Sequence, residues 1–299
     1  MTLLVGSVQL GLIYGMLALG IYISFRILNI PDLTADGSFT LGLSVSAAMT
    51  IAGHPLLGIL LAIIAGAIAG AITGLLQTKL EIHPILAGII TMSSLYSINL
   101  YILGSRSNLS LIGSKSIFNQ EEWLFLNKQV LGTLIPLIFC FLTLIILIWF
   151  FKTHLGLCIR ATGDNEEMVR ASSINVDAMK IVAVAISNAC IGLSGAVLAQ
   201  YQGYADISSG IGIMVVGLAS AIIGEAIFGR RSLTMGLFSA ILGSLIYRFI
   251  IAAALKSNIF PAYMLRVVSA FIVVFALSIP IIKKHLEFRR MRKKAGQNA

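Results

Sequence analysis

Long apolar runs separated by short polar connections set the pattern of this chain. A helix needs roughly 20 apolar residues to cross the hydrocarbon of a bilayer. On that measure the segments are about 3–25, 38–53, 56–77, 84–103, 131–151, 181–202, 211–228, 233–255 and 261–282. The pattern predicts an all-α fold, a polytopic transmembrane helical bundle of about nine spans. Segments 38–53 and 211–228 are short, which predicts one or two broken or re-entrant helices. Irregular backbone at membrane depth persists only where protein or a water-filled path surrounds it. The run Leu3 to Phe25 has no basic residue before it and no small-residue cleavage site, so it reads as a retained span and not a signal peptide.

Composition and charge agree with that reading. Of the 299 residues, 58% are hydrophobic and 11% charged, against about 25% charged in soluble domains. The net charge of +9 does not point to nucleic acid, because the basic residues sit between apolar runs and at the C-terminus. There they act as topology signals. With the N-terminus outside, the inner connections hold 15 of the 21 Lys and Arg: Arg26, Lys79, Lys152, Arg160, Arg170, Lys180, Arg230, Arg231 and the seven of 283–299. The outer ones hold four, Arg106, Lys115, Lys128 and Lys256, while Arg248 and Arg266 fall in spans. The positive-inside rule therefore predicts a multi-pass membrane protein, N-terminus outside and C-terminus in the cytoplasm. Its transmembrane domain is 1–282, with a cytoplasmic loop at about 152–180 and a basic tail at 283–299. The tail is a topology anchor able to meet anionic lipid headgroups.

Small residues mark where helices approach. Gly66, Gly70 and Gly74, with Ala62, recur every four residues in the third run, and Gly11 and Gly15 repeat the spacing in the first. Such stripes are packing devices, since lipid tails provide no hydrophobic drive for helix association.

Catalytic and metal chemistry are not indicated. Cys140, Cys158 and Cys190 show no CxxC pairing, and His54, His83, His154 and His285 are scattered singly. No cluster of His, Asp, Glu or Cys has ligand or catalytic spacing, so no metal and no cofactor is expected. The Asn108–Ser110 match to a glycosylation acceptor reads as accidental. In the outer connection 104–130, Trp123 and Phe125 beside Glu121 and Glu122 suggest an interfacial segment where an external partner docks.

The inner loop from Thr153 to Lys180 is polar, charge-balanced and too long for a simple turn. Asp164 or Asn165 can cap a short helix through Glu166, Glu167, Met168 and Ala171, and acidic residues in its first turn suit the helix dipole. Exposing Met168 and Val169, that helix is suited to dock in a partner's groove; a solvated connector is the alternative. Ionisable residues within spans are functional candidates, because placing them there costs several kcal/mol. Arg248 lies deep, Arg266 close enough to the surface to snorkel, and Glu225 near the inner end of its span where Arg230 or Arg231 can neutralise it. Asp32 and Asp36 lie in the polar segment before the short second run.

The frame of Gly156, Arg160, Ala161, Gly163, Asn165 and Lys180 resembles the cytoplasmic loop of branched-chain amino-acid and ribose-type ABC permeases. So do Leu28 to Gly42 (LNIPDLTADGSFTLG), Gly217 to Gly229 (GLASAIIGEAIFG) and Pro261 to Arg266 (PAYMLR), in family order over nearly the whole chain. The wording Pro31 to Gly37 is most similar to a branch associated with aromatic amino-acid uptake. The resemblance implies an importer's permease subunit. A second permease copy would complete the pore in a homodimer, an ABC ATPase subunit would bind from the cytoplasm, and an external substrate-binding protein would deliver a small solute, such as an amino acid. It also implies that Arg160, Gly163, Asp164, Asn165, Glu166, Glu167, Met168 and Arg170 form the ATPase-coupling segment. Asp32, Asp36, Arg248 and Arg266 are the translocation-path candidates. No G-x-x-x-x-G-K-[ST] phosphate loop is present, so ATP hydrolysis is expected in a separate chain. An ion-coupled secondary transporter is the alternative; it should show an inverted repeat, and none is legible. A membrane-embedded enzyme lacks its cluster.

Overall fold

The computed structural model describes residues 2–119, 128–229 and 232–256, with isolated positions at 267, 270, 271, 274 and 278. The expected span 261–282 thus lies largely outside the described residues, as do Trp123, Phe125, Arg266 and the basic tail. The described chain is a helical bundle. Its helices are α1 (Thr2–Tyr22, continued by a π-helical turn Ile23–Ile27), α2 (Thr34–Ile51), α3 (Pro55–Thr78), α4 (Pro84–Ile102), α5 (Lys128–Phe150), α6 (His154–Asp164), α7 (Glu166–Ala171), α8 (Val176–Gln202), α9 (Ile213–Phe228) and α10 (Leu233–Lys256). Among the described residues, seven helical segments are long and apolar enough to cross a membrane. Strands β1 (Asn108–Ser110) and β2 (Tyr204–Asp206) pair antiparallel, Leu109 opposite Ala205, and tie the connection after α4 to the end of α8.

Local sequence explains the helix ends. Proline opens α3 and α4, where its missing N–H has no intrahelical partner to lose. Asn175 starts α8 by accepting from the Ala178 N–H at 3.1 Å, and Gly203, at φ +75°, ends it in a left-handed cap.

α1 and α8 form the centre, with 72% of each span buried, against 28% of α4 and 39% of α3, α5 and α10. The outer helices turn Leu60, Ile64, Ile68, Ile145 and Trp149 outward. The interior is knitted by polar groups: Ser194 donates to the Ile13 carbonyl at 2.8 Å, Ser187 to that of Gly20 at 2.7 Å, and Tyr201 to Gln9 at 2.6 Å. Where no water competes, such interhelical bonds hold spans together.

The glycine stripe does what its spacing predicts. Along α3, a Cβ on Gly66 would overlap the Asn188 carbonyl oxygen, one on Gly70 that of Val184, and one on Gly74 would meet the Ile181 Cα at 2.8 Å. Ala62 faces Gly192 in the same line, so α3 lies backbone to backbone on α8. Gly11 and Gly15 seat α1 against Leu245 and Ser244 of α10.

Two helices begin inside the bundle. Asn29, at φ +59°, turns the chain after the π-helical segment, and connection 28–33 climbs back among the helices. Asp32 there meets Asn188, about 18 Å along α8 from its start at 1.5 Å per residue. α2 is consequently buried from its first residue, which is why it begins at Thr34 and not at the expected 38. α9 follows a 3₁₀ turn, Ile207–Gly210, packed on α2, and starts after left-handed Gly212.

Candidate functional site

The two interior helix starts meet at Asp36. Its Oδ2 accepts from the Gly212 N–H at 2.8 Å and its Oδ1 from the Met214 N–H at 2.9 Å. One carboxylate in the first turn of α2 thereby satisfies orphan donors at the head of α9 and faces the positive ends of two helix dipoles. Beside it opens a cavity of about 400 Å³ whose lining includes Asp36, Thr40, Met92, Ser93, Tyr96, Asn99, Ile207 and Ile211. Around its mouth α4 exposes Ser93, Ser94, Tyr96 and Ser97, a hydroxyl-rich stripe among otherwise apolar outer faces.

Asp32 is 2% exposed and does not reach that cavity. It accepts from Asn188 Nδ2 at 2.6 Å and from the Thr34 N–H at 2.9 Å. Hydroxyls of Thr34, Thr73 and Thr91 continue the polar line to α3 and α4 at 2.8 and 2.9 Å. This is a buried, internally bonded carboxylate that holds α2 to α8.

Arg248 is placed elsewhere. Its guanidinium lies 3.7 Å above the centre of the Tyr14 ring, a cation–π contact between α10 and α1. It borders a separate groove of about 360 Å³ with Ser7, Leu10 and Ile251. Asp36 is engaged by α9, and the aromatic face of Tyr14 takes the arginine. Among the described residues Glu225 has a cation partner that the sequence did not suggest. Arg26, at the end of the first span, forms the ion pair with Glu225, whose carboxylate side is 9% exposed. Arg230 and Arg231 lie outside the described residues.

In the segment 153–180, Thr153 caps α6 and Asn165 caps α7, accepting from the Met168 N–H at 3.0 Å. Asp164 is the last residue of α6 and not the cap. Glu166 bonds Arg170 at 3.0 Å and Lys180 at 2.7 Å, and Arg170 also reaches Asp177 at 3.5 Å. The hydrogen bond from Lys180 exceeds the cost of burial and, with the weaker help of Arg170, holds the Glu166 carboxyl below the usual glutamate range. Met168 is 59% exposed, with Glu167, Arg160 and Asp164 also outward. Val169, expected beside Met168 on the surface, is instead 1% exposed. A six-residue helix must anchor one side to keep its shape, and Val169 is that anchor. Gly163 presses on the Ile27 carbonyl, where a side chain would overlap it, so α6 abuts the end of the first span.

Sequence reasoning missed Arg26, Tyr14, Tyr96 and the 3₁₀ turn. Arg26 was readable only as a topology charge, and its partner is 199 residues away. Tyr96 and Ser93 carried no signal beyond a few hydroxyls in an apolar run. Among the described residues no group of three His, Cys, Asp or Glu could hold a metal ion.

Comparison with known proteins supplies the identity. Residues 3–277 match the family model "Branched-chain amino acid transport system / permease component". The chain is 37% identical over 268 residues to the tyrosine transport system permease protein of Clostridioides difficile (strain R20291), covering 89% of this chain and 88% of that one. It is 28% identical over 257 residues to the galactofuranose transporter permease protein of Escherichia coli (strain K12), covering 82% and 70%. The solved structure of PsaBC from Streptococcus pneumoniae in complex with Fab shares the fold, with a TM-score of 0.50 at 18% identity over 94% of this chain and 88% of that one. The chain belongs to the branched-chain amino acid transport system permease family, and is the membrane-spanning permease component of an ABC transport system.

Proposed function

We propose that this permease imports an amino acid with an aromatic or large apolar side chain. The observation that carries the reading is the Asp36 cavity, whose lining combines a carboxylate and the hydroxyls of Thr40 and Ser93 with Tyr96, Met92, Ile207 and Ile211. Such a lining suits a zwitterion with an apolar tail, and a volume of about 400 Å³ lies in the range of small-molecule sites. The tyrosine permease relative supports the solute class.

In this reading a second copy completes the pore as a homodimer, the hydroxyl stripe of α4 faces the shared path, and an external binding protein delivers solute. The bundle has about nine spans, its N-terminus outside and its tail in the cytoplasm of an inner-membrane protein, as the basic residues favour. An ATPase subunit docks on α6 and α7 through Arg160, Asp164, Asn165, Glu167 and Met168, while Gly163, Glu166 and Arg170 hold that surface in place. ATP binding there biases inward- against outward-facing packing. Arg248 and Arg266 flank the path in a secondary role.

Competition uptake tests the reading in cells overexpressing the permease with its neighbouring genes. Radiolabelled tyrosine, phenylalanine, leucine and galactose are offered at equal concentration. Preferential uptake of an aromatic amino acid is expected; preference for the sugar would sink the solute class. Copurification tests the docking surface: Glu167→Lys with Met168→Lys should lower recovery of the ATPase subunit at least fivefold at unchanged membrane abundance. Unchanged recovery would favour a solvated connector.

A further inference from the structure

α9 is held at both ends by charged groups, and each end adjoins a different working part of the protein. At its head, Asp36 binds the Gly212 and Met214 N–H groups beside the cavity. In its last turn, Glu225 pairs with Arg26. Met214 and Glu225 lie 11 positions apart on the helix, about 17 Å of rise.

Arg26 sits in the π-helical turn Ile23–Ile27, a helix variant that concentrates at functional positions. That turn is in direct contact with the cytoplasmic loop, because Gly163 of α6 lies on the carbonyl of Ile27. Arg26 also shares a cavity of about 220 Å³ with Arg160 and Asp164 of α6 and with Ser232 at the head of α10. A displacement of α6 therefore meets the segment carrying Arg26 as well as α8, on which α6 also packs.

α9 cannot absorb such a push by bending alone. Gly224 lies on the Ser239 carbonyl and Gly243 on that of Ser220, so α9 and α10 are locked backbone to backbone. Packed cores move between discrete arrangements and do not deform continuously.

We propose that Arg26 and Glu225 are the positioning pair through which the cytoplasmic loop moves α9, and that α9 carries this motion to Asp36 and the cavity wall. The pair acts on transport through the helix and not by touching solute. This inference rests on the reading of the chain as an ATP-driven importer whose α6–α7 surface receives the ATPase subunit.

The test uses the complete transporter, permease with the ATPase subunit that copurifies, reconstituted in proteoliposomes with the binding protein. Two rates are measured on each preparation, solute uptake and ATP hydrolysis, and their ratio is the readout. Glu225→Gln and Arg26→Gln are expected to keep the ATPase subunit and its hydrolysis while uptake per ATP falls at least tenfold. Glu225→Asp, which keeps the charge, should stay within about twofold of the parent. The doubly neutral Arg26→Gln/Glu225→Gln protein leaves no lone charge behind, so it should insert normally and still show the lowered ratio. A parental ratio in the neutral variants overturns the proposal, and so does an equal loss in Glu225→Asp and Glu225→Gln. If the unmodified permease brings down no ATPase subunit, the importer reading itself fails, before any variant is compared.

Discussion

Asn188, midway along α8, donates from Nδ2 to Asp32 Oδ2 at 2.6 Å, and so joins the connection before α2 to the central helix of the bundle. Among the described residues no cation pairs with Asp32; amide and backbone N–H groups do the work, the Thr34 N–H at 2.9 Å being the other. Asp32→Ala leaves two buried donors without their acceptor, at about 1–3 kcal/mol each. Asp32→Asn keeps an acceptor and should lose less. Thermal unfolding in mild detergent is expected to rank parent, Asn and Ala in falling order, with alanine several degrees lowest. An alanine variant as stable as the parent would show that α2 is seated by packing alone.

Packing is tested at two glycines that differ in what surrounds them. A Cβ at Gly42 would overlap the carbonyl of Gly192 across the α2–α8 contact, while one at Gly6 meets nothing within 4 Å. Gly42→Ala should therefore destabilise by about 1–3 kcal/mol, the usual range for overpacking. Gly6→Ala should be neutral or slightly stabilising, alanine being the better helix former. The same unfolding assay checks both, and equal effects would contradict the close approach.

Much of this bundle was legible because a bilayer allows few alternatives: apolar runs of the right length became helices within a few residues of their expected ends. The glycine stripe on α3 was equally legible, since a four-residue period places small residues on one face. What escaped was pairing between distant segments. Arg26 with Glu225, and Asp36 with the head of α9, join residues 199 and about 176 positions apart, and no local period encodes such partners. α2 shows a different limit. Its Thr34, Asp36 and Ser38 depress the apolar average, yet they are needed there because protein, not lipid, surrounds that helix start. Val169 was misplaced because a single turn of helix gives too little period to tell its inner side from its outer.

Topology can be read with single cysteines. Ile112 is 92% exposed in the connection expected outside, and Ser172 is exposed after α7, expected inside. The native Cys140, Cys158 and Cys190 are buried, so background labelling should be low. In intact cells an impermeant maleimide is expected to label Ile112→Cys and to spare Ser172→Cys until the membrane is opened. The reverse order would invert the proposed orientation.

The inner loop should respond to acid in a defined direction. Glu166 titrates below its ordinary value because Lys180 and Arg170 bond its charged form. A depressed pKa means that this contribution is complete above the ordinary glutamate value of about 4.3 and fades as pH falls through the lowered one. Hydrogen exchange across 154–180 is thus expected to be flat from pH 7 to about 5, once corrected for intrinsic rates, and to quicken below about 4. Glu166→Gln should show the faster exchange already at pH 7. An unchanged rate in that variant would mean that the Asn165 cap and buried Val169 hold the loop without the ion pairs.

The cavity makes the sharpest demand on the proposed solute class, since its two sides should fail in different ways. Asp36 serves both as a cap for α9 and as the acidic wall, so Asp36→Ala removes two hydrogen bonds together with the charge. Transport is expected to fall more than tenfold at equal membrane abundance, chiefly in maximal rate, because the helix start itself is freed. Asp36→Asn retains one acceptor and should keep part of the rate. Tyr96 holds no helix end; it is 54% exposed at the mouth of the cavity. Tyr96→Phe keeps the ring and should transport nearly as the parent does. Tyr96→Ala removes an apolar surface worth about 1–3 kcal/mol to a passing side chain, and should raise the apparent KM more for phenylalanine than for a small amino acid such as alanine. Uptake kinetics for both solutes in the parent and the two Tyr96 variants decide the matter. An identical KM shift for the two would show that Tyr96 shapes the protein and does not face the solute.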